Sequence, residues 1–116
     1  MKKISLIGAL LAVVVVAGCS WQPSPTQEFA QCVTDAGMTM YGANWCKHCQ
    51  QQKEMFGIRS FNNINYVECT VDKQACDDME ITAYPTWVGS GDYRQTGVHS
   101  FEQLAQITGC ELPQSE

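Results

Sequence analysis

The chain opens with an unbroken apolar run of about 14 residues, from Ile4 to Ala17, before hydrophobic and polar positions begin to alternate. Such a run is too short to span a bilayer comfortably, for which roughly 20 residues are needed. Behind it, Trp21 to Thr26 holds two prolines among polar neighbours and reads as a linker. Thr26 is placed to cap a helix over residues 27–36, with Phe29, Ala30 and Val33 on one side and Gly37 as its stop. A strand over 38–43 leads into a helical stretch over 47–56 that ends at Gly57. Residues 64–69 alternate like a half-buried strand, and a short helix is expected over 73–79. Residues 84–88 and 93–98 read as two strands joined through Gly89-Ser90-Gly91-Asp92. Ser100 is placed to cap a last helix that puts Phe101, Leu104, Ala105 and Ile107 largely on one face. The order α, β, α, β, α, β, β, α predicts an α/β fold with a mixed four-stranded sheet covered by helices and right-handed crossovers.

The start of the chain carries further signals. Lys2-Lys3, the apolar run and the small residues Ala17-Gly18 have the layout of an export signal. The ending Val16-Ala17-Gly18-Cys19 resembles a bacterial lipoprotein signal box, which implies cleavage before Cys19 and lipidation of that cysteine. Two or more acyl chains anchor stably where one is marginal. The expected organisation is a signal peptide over 1–18, a lipidated tether over 19–26 and one domain over 27–112. The expected location is the periplasmic face of a bacterial envelope, with Ser20 rather than Asp after the cysteine favouring the outer membrane over the inner. Loss of Lys2 and Lys3 leaves five of seven basic residues against twelve acidic ones, a formal charge of −7. That balance argues against a nucleic-acid partner.

Seven cysteines in 116 residues is well above background. With Cys19 assigned to lipid, six remain, an even set that suits an oxidising compartment. Cys46 and Cys49 form a Cys-x-x-Cys, and Cys69 and Cys76 bracket a short polar step, which leaves Cys32 and Cys110 as partners. The latter two pairs are expected to be structural. Cys46, His48, Cys49, Cys69 and Cys76 offer a rival zinc reading, but six residues separate Cys69 from Cys76, wider than the usual ligand spacing. No metal or cofactor is expected.

The pair Cys46–Cys49 carries the candidate chemistry, because it falls where a strand turns into a helix. Disulfide exchange needs a thiolate, and a free thiol near pKa 8.5 is mostly protonated at neutral pH. A sulfur at a helix start faces unpaired N–H groups and the positive end of the dipole. In such positions thiol pKa values fall to roughly 3.5–7. Cys46 is therefore expected to be the nucleophile, with Lys47 and His48 supporting it, and Cys49, one turn on, the buried resolver. Trp45 and Tyr84 are candidates for an apolar substrate rim. Trp87 reads as core, the acids Asp77, Asp78 and Glu80 as a solvated face, and His99 as a solvated residue without a role.

Trp45-Cys46-Lys47-His48-Cys49 with Tyr84-Pro85-Thr86 resembles the thioredoxin superfamily. Phe29-Ala30-Gln31-Cys32, Met40-Tyr41-Gly42-Ala43, Gln52-Lys53-Glu54-Met55-Phe56-Gly57, Tyr66-Val67-Glu68-Cys69 and Tyr84-Pro85-Thr86-Trp87 are similar to the thioredoxin-like domains fused to bacterial vitamin K epoxide reductase homologues. This resemblance runs from about Thr26 to Leu112. It implies a thioredoxin-like fold and a cis bond before Pro85, with that loop against the cysteines to receive substrate backbone. Two positions depart from the pattern: Lys47 stands where the family commonly has Pro, and Met40 where many thioredoxins carry a buried acid. The absent acid leaves proton transfer from Cys49 without an obvious base. Implied partners are cysteine-containing exported proteins and a separate membrane redox protein, of the epoxide-reductase type or another. The resulting expectation is a thiol-disulfide oxidoreductase, an oxidant or isomerase rather than a strong reductant. The competing reading is a disulfide-stapled envelope lipoprotein that only binds partners.

Overall fold

The computed structural model describes residues 8, 11–15, 18 and 21–114. Cys19 and most of the expected signal segment lie outside the described residues. Among the described residues no helix is long and apolar enough to cross a membrane.

Helix α1 spans Pro25–Asp35, strand β1 Thr39–Gly42, helix α2 Lys47–Phe56 and the short helix α3 Ile58–Phe61. Strand β2 (Tyr66–Glu68), helix α4 (Lys73–Asp78), strands β3 (Thr86–Val88) and β4 (Arg94–Thr96) and helix α5 (Phe101–Thr108) follow. Helix α1 starts earlier than expected. Its cap is Ser24, not Thr26: the Ser24 hydroxyl accepts from the Gln27 N–H while the Gln27 side chain accepts from the Ser24 N–H. Pro25 sits in the first turn, where its missing N–H costs nothing and its fixed φ suits the helix. The end of the expected tether is therefore helical. Ser100 caps α5 with the same reciprocal pair of bonds, here to Gln103.

The four strands form one mixed sheet in the order β2-β1-β3-β4. Strand β1 runs parallel to β2, with Tyr41 opposite Val67, and antiparallel to β3, with Tyr41 opposite Thr86. The hairpin β3–β4 is antiparallel. The fold is α/β and thioredoxin-like, a mixed four-stranded sheet with helices packed on it. The parallel pair is bridged by α2 and α3, and β4 is the solvated edge, all three of its residues exposed. Strands β3 and β4 are shorter than the pattern suggests, because residues 84–85 belong to the loop that enters β3.

Alternation along β1 divides the core. Met40 points into the larger apolar cluster with Phe29, Phe56, Trp87 and Leu104, while Tyr41 joins Cys69, Cys76 and Ile81 in a smaller one. Phe29, Phe56 and Phe101 meet from α1, α2 and α5 with centroids 5.1 and 4.8 Å apart for the two contacts to Phe101. Truncating one such buried ring to Ala costs about 3–5 kcal/mol. Trp87 is fully buried, and Asp77, Asp78 and Glu80 are exposed. His99 is not solvated: it is buried at 3 % exposure. The imidazole Nε2 meets the Tyr93 hydroxyl at 2.7 Å, and Nδ1 lies 2.9 Å from the Gly97 carbonyl.

Two disulfides tie these layers. Cys32 on α1 is joined to Cys110 beyond α5, and Cys69 at the end of β2 is joined to Cys76 on α4.

Candidate functional site

Strand β1 ends at Gly42, and the turn Ala43-Asn44-Trp45 delivers Cys46 to the start of α2. The turn is held at three points. Cys46 N–H donates to the Ala43 carbonyl, Asn44 N–H to a Glu68 carboxylate oxygen, and the Gln50 amide to the Asn44 carbonyl. Cys46 is the N-cap of α2, with extended backbone (φ −81°, ψ 118°), and its sulfur accepts the Cys49 N–H at 3.1 Å. A sulfur thus takes the place that a serine or aspartate oxygen fills in most helices. Negative charge on that sulfur is favoured by the bond and by the dipole together.

Cys46 and Cys49 are both thiols in this structure, in contrast to the other four described cysteines. They differ in exposure: Cys46 keeps 5 % of its surface, and Cys49 keeps none. Burial pushes the Cys49 thiol up to about 12, contact with Cys46 adds to the rise, and the Ala43 backbone and the Lys53 ammonium oppose it. Both residues are therefore buried, but the first keeps a small accessible edge and the second keeps none. Lys47 and His48, between them, are exposed, and neither hydrogen-bonds to either sulfur. Whatever support they give is long-range.

The loop before β3 completes the site. Because Tyr41 faces Thr86 in the antiparallel register, Pro85 is carried alongside Gly42, where the motif turn begins. The Tyr84–Pro85 bond is cis, and Pro85 is fully buried. Tyr84 meets Trp45 edge to face, with centroids 5.7 Å apart, and Trp45 remains 70 % exposed. The structure thus brings Trp45, Cys46, Cys49, Tyr84 and Pro85 together. Cys69–Cys76 and Cys32–Cys110 are links between elements, the former in the smaller core cluster against which Tyr84 packs. Among the described residues no three His, Cys, Asp or Glu side chains converge as metal ligands.

Sequence reasoning passed over four residues. Gln52 is fully buried on α2: its carbonyl oxygen accepts from the Trp87 indole and the His99 N–H, and its amide donates to the His99 carbonyl. Lys53, Tyr66 and Glu68 form a cluster on the inner side of Cys49. Gln52 and Lys53 appear in the sequence only as members of the helical stretch and of the family resemblance. The Tyr66-x-Glu68 alternation was visible in the strand pattern, but nothing in it showed that the side chains reach the cysteine pair.

Fold and paired thiols together define a thioredoxin-like domain with a dithiol site at a helix start. The chain is similar to the thiol-disulfide oxidoreductase LTO1 of Arabidopsis thaliana, 39 % identical over 94 residues that cover 74 % of this chain. It spans about a quarter of that relative's length, 25 %. No family model matches the chain. Solved structures similar to it include one described as a malarial protein, with TM-score 0.47 and 17 % identity over 61 % of this chain and 93 % of that one. Another is the NTD_N/C domain of alkylhydroperoxide reductase AhpF from Enterococcus faecalis, with TM-score 0.48 and 10 % identity over 77 % of this chain and 45 % of that one.

Proposed function

We propose that the chain is an envelope thiol-disulfide oxidoreductase that works through Cys46 and Cys49, with Cys46 as the attacking sulfur and Cys49 as the resolving one. The observation that carries this reading is the asymmetry of the pair. Cys46 caps α2 and keeps a narrow accessible edge, while Cys49 lies fully enclosed one turn on. An incoming disulfide can reach only the first sulfur, and the second is within reach of the bond that forms there. Similarity to a relative named as a thiol-disulfide oxidoreductase supports the same chemistry.

In the exchange, the Cys46 thiolate attacks one sulfur of a client disulfide and expels the other as a thiolate. Cys49 then loses its proton, attacks the Cys46 sulfur and releases the client reduced. Run backwards, the same steps oxidise a client dithiol. A Cys46 thiolate stabilised by the Cys49 N–H and the dipole favours the reduced pair, hence an oxidant or isomerase, with a potential above the roughly −270 mV of thioredoxin. The clients are cysteine-containing exported proteins, and a separate membrane redox protein of the vitamin K epoxide reductase type regenerates the pair. Lipid on Cys19 holds the domain on the envelope. Trp45 and Tyr84 supply the apolar rim for a client, and the buried Pro85 loop borders it.

The test is trapping. Replacing Cys49 with Ala leaves the attacker and removes the resolver, so mixed disulfides with clients or with the membrane partner accumulate; replacing Cys46 abolishes both exchange and trapping. A Cys46 thiol that resists alkylation at neutral pH and traps nothing would leave the domain as a binding module.

A further inference from the structure

Cys49 must carry negative charge whenever the pair exchanges, yet it is fully buried, and position 40 on β1, in the same core cluster, holds the uncharged Met40. Helix α2 supplies Cys46 and Lys53, strand β2 supplies Tyr66 and Glu68, strand β1 supplies Gly42, and the Ala43 backbone just beyond it hydrogen-bonds to the Cys49 sulfur. Lys53 is the one cation of that set. It lies four residues beyond Cys49, on the same face of α2 one turn along.

Tyr66 fixes where that cation sits. The Lys53 ammonium rests 4.2 Å from the Tyr66 ring centroid and 5.7 Å from that of Phe61. Gly42 leaves a gap in which a Cβ would stand 2.9 Å from the Tyr66 hydroxyl oxygen and 3.1 Å from the Cys49 sulfur, so phenol and thiol flank one small space. The Tyr66 hydroxyl donates to one Glu68 carboxylate oxygen at 2.9 Å. The other oxygen accepts from Asn44 N–H, Thr70 N–H and the Thr70 hydroxyl. Glu68 is thus satisfied by neutral donors. Lys53 makes no ion pair, the one such pair among the described residues being Lys73–Asp77 on the far surface of α4. Lys53 is part-buried, makes no ion pair and lies on an aromatic face beside a buried thiol, so its charge acts on that sulfur as well as on the nearby Glu68 carboxylate.

We propose that Lys53 is the charge that stabilises the Cys49 thiolate during exchange, and that Tyr66, pinned by Glu68, is the positioning residue that holds Lys53 there. The inference rests on the redox reading of Cys46–Cys49 and assigns it the electrostatic partner that the absence of an acid at position 40 leaves open. Lys53 acts as a fixed positive charge and not as a base: the Cys49 proton goes to water.

Oxidised glutathione tests this on the full chain. The reduced pair reacts in two steps. The Cys46 thiolate attacks one glutathione sulfur, forming a Cys46–glutathione disulfide and expelling one glutathione thiolate. Cys49, its proton lost to water, then attacks the Cys46 sulfur, forms the Cys46–Cys49 bond and expels the second thiolate, which takes a proton from water. Two electrons pass from the cysteines to glutathione disulfide. Acid quenching and mass spectrometry follow the glutathione adduct. Lys53→Met is expected to lengthen its lifetime about tenfold at pH 7 and to displace the pH profile of the second step upward by about one unit, the two being equivalent. Lys53→Arg, which keeps the charge, is expected to restore both. Equal lifetimes in Lys53→Met and the parent, or an Arg variant as slow as the Met variant, would overturn the proposal. If the parent forms no adduct at all, the redox reading fails on its own. The charge effect is then judged by iodoacetamide modification of Cys49 in Cys46→Ala, about tenfold slower when Lys53→Met is added and overturned by equal rates.

Discussion

Gln52 grips the backbone of His99 from both sides, donating to its carbonyl at 3.0 Å and accepting its N–H at 2.7 Å. The same carbonyl oxygen also takes the Trp87 indole N–H at 3.2 Å. One side chain on the helix that carries the cysteines therefore locks α2 to the central strand β3 and to the start of α5. Among the described residues no buried side-chain nitrogen or oxygen lacks a partner. Replacing Gln52 with Leu keeps the volume and strands three polar groups in the core, each costing roughly 1–3 kcal/mol. The expected loss is about 2–4 kcal/mol after relaxation, read from urea unfolding with both structural disulfides intact. A loss under about 1 kcal/mol would show that water replaces the amide.

Burial also gives this region a pH dependence. It holds the His99 imidazole below its ordinary pKa of 6.5, and the bond to the Gly97 carbonyl offsets this only in part. As pH falls through 6.5 the unfolded chain takes a proton that the fold resists, so stability declines from there down to the lowered folded value. Above 6.5 the group changes nothing. Glu68 works in a separate window. Partial burial raises its pKa, but hydrogen bonds from Thr70 and Tyr66 and the charge of Lys53 outweigh that and hold it below 4.5, so its contribution is lost only at more acid pH. The urea midpoint is expected to fall between pH 7 and pH 5, and to fall less in His99→Gln. Parallel pH curves for the two proteins would place the acid sensitivity elsewhere.

The two disulfides should contribute unequally. Cys32–Cys110 closes 78 residues and Cys69–Cys76 only 7. On the chain-entropy account, loss of the first bridge costs about 4 kcal/mol and loss of the second about 2 kcal/mol. Paired Cys→Ala variants measured by thermal unfolding decide this. A greater loss from the short bridge would mean that Cys69–Cys76 acts by packing the Tyr41 and Ile81 cluster rather than by restraining the unfolded chain.

Anchoring is tested at Cys19. The Cys19→Ser variant is expected to take up no labelled fatty acid and to leave the membrane fraction, with the exchange chemistry of the domain intact. Continued labelling would place the lipid elsewhere.

Most of the fold was legible because it is written in local signals. The strand expected over 38–43 leads to a Cys-x-x-Cys, Gly57 stops α2, and Ser100 announces α5, each a feature of a few adjacent residues. The start of α1 was legible too, in Ser24-Pro25-Thr26-Gln27, but two nearby prolines read as linker and hid the capping pair. Helix α3 left no trace, since four residues carry no periodicity and Ile58 is 86 % exposed. His99 read as solvated, and Gln52 drew no reading of its own, because nothing local distinguishes a polar side chain on the surface from one satisfied in the core. Their partners lie 47 residues apart. The Lys53–Tyr66–Glu68 cluster was hidden for the same reason: it exists only once β2 is laid beside β1.

On the proposed reading Cys46 is at once the attacking residue and, by its geometry, the cap of its own helix. A sulfur drawn into a bond with Cys49 is no longer an anionic acceptor for the Cys49 N–H, so closing the disulfide weakens the first turn of α2 while the body of the helix stays anchored through Gln52. The backbone thus records the electron count of the site. Hydrogen exchange at the Cys49 amide should be slow in the reduced protein and faster in the oxidised one. A partner that reads the motif turn would then distinguish a spent domain from a charged one without touching either sulfur.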